Sequence, residues 1–542
     1  MMWNSGCAKK RGMAERSVGE RSTASRPSRA ATSASTAPTD ESGHEATLSL
    51  LRDACGSREA NARSPPVDAA SCRRMEATTA DATPSGGSPL ANRLDRYFDI
   101  TARGSSIPTE IRGGAATFLT MAYILFVNPQ ILGSVAAPGG VKLPFDQLLT
   151  VTALVAAVAT IAMGIYGRYP FALAAGLGIN AFVAFSLVGV DRLSWPDAMG
   201  VVVVEGLAIT VLVLVGFREA VINAIPHDLK LAIGIGIGLF ITIIGLVDAG
   251  IVVKGEGTIV TIAPKLNTWA IAIFVIGLFG TYAMVARRIR GALLFGIVGT
   301  TILATIINEA KDKKVFPNGS ATWPDKIFDA PNFGLVGDFS LHFVSALGFW
   351  SAFAVVVSVM LSDFFDTAGT VLGLGRRAEL VAPDGRLPGM RRVLIVDSLA
   401  AAGGGAASAS SNTTFIESSA GIGEGARTGL ASVVTGLLFA CCLFISPLAG
   451  IIPSAATAPV LVIVGAMMFE LVRHLEWRDP VIALPVLLTI VLMPMTYSIT
   501  NGVGAGFVSY SVLTLLAGRR VHPLMLGISA VFVWYFIHGV VG

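Results

Sequence analysis

Charge is what this sequence has least of. Asp, Glu, Lys and Arg make up 14% of its 542 residues, against roughly 25% in ordinary soluble proteins. With 53% hydrophobic residues and a mean hydropathy of +0.68, that scarcity excludes a water-soluble enzyme, which at this length needs far more polar surface. Cysteine is scarce too. Cys7, Cys55 and Cys72 lie in a polar N-terminal stretch, and the adjacent Cys441 and Cys442 lie in an apolar run. Their spacing fits neither a disulfide framework nor a metal site, so they read as small buried side chains. No histidine is convincingly placed for a site: His227 sits at a loop edge, and His342, His474, His522 and His538 fall near segment ends. There is no phosphate-binding loop and no nucleotide fingerprint. ATP is therefore not the expected energy source, and no cofactor or metal is expected. The net charge of +4 does not imply nucleic acid, because the basic residues mostly sit between apolar runs.

The charges that exist are unevenly spread. Residues 1–90 hold 22 of the 76, leaving about 12% charge in the remaining 452 residues. The first stretch is rich in Ser, Thr, Ala, Arg and Pro, as in RSTASRPSRAATSASTAPT, and reads as a disordered tail over 1–92. It has no apolar core of a secretory signal. Its Arg and Ser content is that of a transit peptide, against which Glu15, Glu20, Asp40 and Glu41 argue; Met75 is an alternative start.

From Ile111 onward, apolar runs long enough to cross a bilayer at roughly 20 residues each follow in order. They fall near 113–132, 148–167, 171–189, 196–217, 229–247, 267–285 and 291–307. After a polar stretch come runs near 353–375, 391–406, 410–420, 427–446, 455–472, 480–497, 499–517 and 523–541. This predicts an all-α polytopic membrane protein with a first repeat over 93–309, an extramembrane linker over 310–350 and a second repeat over 351–542. With the N-terminus cytoplasmic, the inside loops carry Arg218, Arg287, Arg288 and Arg290. Later inside loops carry Arg376, Arg377, Arg386, Arg391 and Arg392, then Arg473, Arg478, Arg519 and Arg520. That is the positive-inside pattern.

The third run of each series is odd. FALAAGLGINAFVAF is short and rich in Gly and Ala, and AAGGGAASASSNTTFIES is rich in Gly, Ala, Ser and Thr. Irregular segments at matching positions of two halves mark an inverted-repeat transporter, the odd number of segments reversing the second half. Backbone left unpaired at membrane depth is tolerated only against protein or a water-filled cavity. The two segments are thus expected to meet near the midplane and build a substrate site.

Ionisable groups inside such runs are costly and usually functional. Asp363 and Asp366 lie mid-run in VSVMLSDFFDTAGT, Asp397 in VLIVDSLAAAGG and Glu417 at the end of the irregular TTFIESS. No intramembrane Lys or Arg lies between them, so a structural ion-pair network does not account for them. They could serve as proton carriers, a cation site, or acceptors for N–H donors of a polar substrate. Asp363 and Asp366, three residues apart, share one helical face. One of them faces the cavity, with Asp366 favoured, and the other holds polar neighbours. Asp397 reads as a brace for the broken segment, and Glu417 as a site residue beside a Ser/Asn/Thr run able to hydrogen-bond a planar ligand. Asn180 offers a donor and an acceptor from the other irregular segment. Asn128, before Pro129, either binds or relieves the proline break. Glu205, in VVVVEGLAI, is a fifth buried acid with no evident partner.

Four long motifs stand out: LDRYFDITARGSSIPTEIRGGAATFLTMAYILFVNPQIL, INAIPHDLKLAIGIGIGLFITIIGLVDAGIV, DFFDTAGT and TTFIESSAGIGEGARTGL. They resemble the AzgA-like purine permeases, a branch of the nucleobase–cation symporters that also include uracil and xanthine permeases. The resemblance runs from residue 94 to the C-terminus. It implies a 7+7 inverted-repeat fold, with segments 1–4 and 8–11 forming a core and 5–7 and 12–14 a gate. Short antiparallel strands in segments 3 and 10 would meet at the site. Asp366-Thr367-Ala368-Gly369 matches the family's acid-x-x-Gly pattern, whereas Asp363 does not. Thr413 and Thr414, followed by Glu417, match the segment-10 strand and its acid, and Asn180 matches the polar residue of segment 3.

The expectation is a non-enzymatic, proton-coupled importer of adenine, guanine or hypoxanthine, multi-pass in the plasma membrane. Asp366, Glu417, Asn180, Thr413 and Thr414 would contact the base. Asp363 and Asp397 would support it or take part in proton coupling, with Asp366 exchanging the coupled proton. The expected partners are the base, the proton and the bilayer, with a homodimer as a candidate assembly. The alternative is an anion or other small-solute transporter of the same 7+7 plan, against which the buried acids argue by repelling an anion. An intramembrane aspartyl enzyme lacks its Gly-x-Gly-Asp signature here, and a structural scaffold would not need four unpaired buried acids.

Overall fold

The computed structural model describes residues 89–538 apart from 217–223, 256, 259, 317–319, 325, 383–386 and 449. The expected disordered tail before Pro89, the transit-like and Met75 readings, the first three cysteines, Arg218 and Arg386 lie outside the described residues. Within the stretch expected to be tail, a helix, α1 (Pro89–Phe98), already begins at Pro89.

Breaks and caps in the sequence set the element boundaries. Ser106 caps α2 (Ile107–Met121), accepting from the Thr109 amide at 3.4 Å. Ala122 and Tyr123 then interrupt the run before α3 (Ile124–Ser134), which contains Pro129. The next helix, α4 (Phe145–Ala162), continues in wider turns to Gly167 and stops at Arg168, whose φ of 58° is left-handed. The third segment follows as strand β1 (Leu173–Ala175), α5 (Leu177–Ala181) and further wide turns to Val190. Ser194, Pro196 and Asp197 supply cap, first-turn proline and first-turn acid for α6 (Trp195–Leu214). The first repeat ends with α7 (His227–Asp248), α8 (Trp269–Ala286) and α9 (Ala292–Ala310). A small hairpin, β2 (Val252–Val253) with β3 (Thr261–Ile262), lies between α7 and α8 and was not foreseen.

The second repeat opens with α10 (Phe343–Leu347) and the 29-residue α11 (Phe349–Arg377), whose last turn holds Arg376 and Arg377, cations suited to a helix C-terminus. There follow α12 (Met390–Ala406), β4 (Asn412–Thr414), α13 (Ser419–Gly423) and α14 (Gly429–Cys441). The chain closes with α15 (Ser454–Phe469), α16 (Pro480–Thr496), α17 (Ile499–Leu516) and α18 (Pro523–His538). Ten helices among the described residues are long and apolar enough to cross a membrane. At 16 residues, α18 is about 24 Å long, short of the roughly 30 Å hydrocarbon layer.

The halves interlock rather than fold separately. In one layer α2 and α4 pack on α14, while α11 and α12 pack on α6, so each contact has a counterpart in the other repeat. In the other layer α7 packs on α15 and α16, and α8 on α9 and α15. This is the core-and-gate division of an inverted repeat. Close approach within the core depends on small residues. A Cβ added at Gly164 would lie 2.5 Å from the Gly429 carbonyl, and one at Gly405 would lie 2.8 Å from the Val203 amide. The first is the α4–α14 contact and the second its counterpart between α12 and α6.

The two irregular segments pair. β1 and β4 run antiparallel, with Leu173 opposite Thr414, Ala174 opposite Thr413 and Ala175 opposite Asn412. All six residues are buried. Further bonds from the Phe415 amide to the Ala172 carbonyl and from the Gly176 amide to the Ser411 carbonyl, both 2.9 Å, extend the ladder. Thr413 and Thr414 suit an extended backbone by their branching, and left-handed Ser408 and Ser410 turn the chain into it.

Candidate substrate site

A two-stranded sheet inside a bundle has two open edges, and here each is tied by one helix. On the β1 side the Thr160 hydroxyl of α4 accepts from the Leu173 amide and donates to the Leu173 carbonyl, both at 2.9 Å. On the β4 side Asp397 of α12 accepts from the Thr414 amide at 2.9 Å, the Thr414 hydroxyl at 2.7 Å and the Thr367 hydroxyl at 2.7 Å. Leu173 and Thr414 are cross-strand partners, so Thr160 and Asp397 do equivalent work in the two repeats. Asp397 has three donors and is buried, which makes it the brace of the broken segment.

In front of the strands lies a cavity of about 600 Å³ between core and gate, within the range of small-molecule sites. Gly176, Ile179, Ser362, Asp366 and Ile416 form part of its wall on the core side, and Ile237 and Met468 face them from the gate. It extends along α7 to Lys230 and His227, and to Met390 and Leu471, at the end of the helices where the arginine-rich loops lie. Towards the other end Phe185, Phe240 and Tyr497 contact one another edge-on, with centroids 5.7 to 6.4 Å apart. The Ser186 hydroxyl donates to the Tyr497 carbonyl at 2.7 Å in the same cluster.

The acids fall into distinct settings. Asp366 is open to the cavity. Asp363, one turn back on α11, is buried and accepts from the Ser411 hydroxyl at 3.2 Å. Glu417 is half-buried just after β4, next to the wall residue Ile416, and one oxygen accepts from the Tyr123 hydroxyl at 2.7 Å. Glu205 of α6 is fully buried, and its carboxyl adjoins that of Asp363.

The other expected contacts are placed differently. The hydroxyl of Thr413 pairs with that of Thr367 at 2.7 Å, and that of Thr414 is spent on Asp397. Both side chains face the brace rather than the cavity, because successive strand residues are held by the helices behind them. Asn180 is also buried away from the cavity wall, and neither its amide nitrogen nor its oxygen has a hydrogen-bond partner among the described residues. Asn128 donates to the Thr152 hydroxyl at 2.8 Å and the Ala409 carbonyl at 3.2 Å, a tie across the two halves. Sequence reasoning missed Tyr123, which only the break between α2 and α3 could have flagged, and set aside His227, which lies on the cavity wall. Lys230 and Ser362 also went unnoticed.

This fold, with a ligand-sized cavity between core and gate at the crossing of two broken segments, defines a multi-pass membrane transporter. The transmembrane domain of the cyanobacterial bicarbonate transporter BicA shares it: the TM-score is 0.53 at 13% identity, covering 73% of this chain and 96% of that one. Residues 108–504 match the xanthine/uracil permeases, described as a permease family. The guanine/hypoxanthine permease PbuG of Bacillus subtilis is 37% identical over 459 residues, covering 82% of this chain and 99% of that one. The adenine permease AdeP of Escherichia coli is 35% identical over 443 residues, covering 81% and 95%. The chain belongs to the xanthine/uracil permease family. It is a transporter and not an enzyme.

Proposed function

We propose that the protein imports purine nucleobases (adenine, guanine and hypoxanthine) by proton symport with alternating access. The observation that carries this reading is Asp366 open into the cavity, with Glu417 one residue beyond the wall residue Ile416, held by the Tyr123 hydroxyl and with lone pairs to spare. Purines present N–H donors along a flat edge, and two acceptor-only groups beside an apolar wall suit that edge better than they suit an anion. The relatives PbuG and AdeP bear the names of guanine/hypoxanthine and adenine permeases. Taking the arginine-rich loops as cytoplasmic, the cavity is inward-facing, the aromatic cluster closes the outside, and the protein resides in the plasma membrane with its N-terminus inside. Movement of the gate against the core would then alternate access. Proton coupling fits a site rich in acids and free of a nucleotide motif.

Uptake of labelled adenine, guanine, hypoxanthine and uracil, with and without a proton ionophore, tests the reading. Purine uptake that the ionophore collapses is expected. Glu417→Gln is expected to abolish uptake while leaving membrane insertion intact, and near-normal hypoxanthine uptake by that variant would sink the assignment. Competition by sulfate would favour the anion-transporter alternative.

A further inference from the structure

Behind the cavity wall, Glu205 of α6 and Asp363 of α11 meet carboxyl to carboxyl. Their exposures are 0% and 1%. Among the described residues both Glu205 oxygens and Asp363 Oδ1 lack a hydrogen-bond donor, and the Ser411 hydroxyl donates to Asp363 Oδ2. Among the described residues the charged groups near them are Asp397 on α12 and Asp366 one turn along α11, both acids. Ionised carboxylates only accept hydrogen bonds. Two of them side by side and buried, with no cation facing them among the described residues, are compatible with burial only if a proton bridges them. Asp397, a short way off, needs no such help because it has three donors.

We propose that Glu205 and Asp363 form a shared-proton pair that carries the coupled proton, a site distinct from the base-contacting acids Asp366 and Glu417. This rests on the symport reading above and replaces Asp366 as the proton carrier. The site takes a proton rather than a metal ion, since two carboxyls and one serine hydroxyl fall short of the oxygen shell a hard cation requires. The coupling is electrostatic. Asp363 and Asp366 are one turn apart on α11, so a doubly ionised pair would repel an ionised Asp366. A protonated pair lets Asp366 stay ionised and accept from the base, which makes proton and base binding mutually favourable. On loading, water supplies the proton and one O–H bond forms on the pair; on release the proton returns to water on the other side, with no change in oxidation state.

The full-length chain reconstituted in liposomes tests this with Glu205→Gln, which mimics the permanently protonated acid. Labelled hypoxanthine counterflow, which needs no net proton movement, is expected to stay within about threefold of wild type. Accumulation driven by an imposed pH gradient is expected to fall at least tenfold, and Glu205→Asp to restore most of it. Should Glu205→Gln fail to fold, Asp363→Asn places the neutral mimic on the other partner and carries the same expectation. Gradient-driven accumulation at the wild-type level in the Gln variant overturns the pair as carrier, as does loss of counterflow in folded protein. Wild-type purine uptake that ignores the pH gradient overturns the symport reading and the pair with it, whereas wild-type protein that moves no purine refutes the purine assignment itself.

Discussion

Replacing Asp397 by Asn keeps the side-chain shape and removes the charge. One oxygen position accepts twice, from the Thr414 amide and hydroxyl, and the other accepts from Thr367. An amide can keep its carbonyl towards Thr414. Its NH₂ then confronts the Thr367 hydroxyl, which must turn to accept and pass its own hydrogen to Thr413, 2.7 Å away. The geometry therefore survives, but three charge-assisted bonds become neutral ones. Each conversion costs about 1 kcal/mol, so roughly 3 kcal/mol in all. At 1.4 kcal/mol per tenfold, opening of β4 becomes about 150-fold more frequent. Hydrogen exchange in detergent micelles, read on a peptide covering 410–418, should show the Thr414 amide exchanging faster by that order, with peptides of α7 and α15 unchanged. Asp397→Ala, which leaves the Thr414 N–H orphaned, should exchange faster still. An exchange rate within threefold of wild type in the Asn variant would refute the brace.

Two further outcomes follow from single contacts. Tyr123→Phe removes a partly buried hydrogen bond to the Glu417 carboxylate, worth about 1.5–3 kcal/mol; KM for hypoxanthine should rise about tenfold or more, and a KM within twofold of wild type would show that the tyrosine does not position Glu417. Beyond the end of the third segment, burial pushes the Asp191 carboxyl from 3.8 up to about 7, so the native state retains a proton that the unfolded chain has released. Its contribution is greatest below about pH 4, and stability declines as pH rises from there to about 7. Thermal unfolding in detergent between pH 4.5 and 7.5 should show a decline that Asp191→Asn flattens, and an unchanged slope in the variant would remove Asp191 as its source.

Much of the architecture was legible because membrane helices announce themselves. The runs near 353–375 and 391–406 became α11 and α12 within a few residues, since only a helix satisfies its own backbone over such lengths of apolar chain. The irregularity of FALAAGLG and SASSNTTF was equally readable from composition. Which side chain of a strand meets the cavity was not. Thr413 and Thr414 are polar residues in the right place, yet both serve Asp397 and Thr367, because a helix behind the strand claims them. Asn180 matched a motif and lies buried off the wall. Glu205 had no visible partner because its partner, Asp363, lies 158 positions along the chain.

Hydropathy, the scarcity of charge and the two irregular segments thus indicated, from sequence alone, a polytopic membrane protein with two reversed halves and a few costly acids at membrane depth. Those are consequences of local hydropathy and of the cost of burying charge, which act wherever the residues end up. The division of labour among the acids was decided only by the tertiary structure. Among the described residues Asp397 receives three hydrogen bonds, Glu417 one from Tyr123 and Asp363 one from Ser411 while it adjoins Glu205, and such contacts depend on which helices the inverted repeat brings face to face.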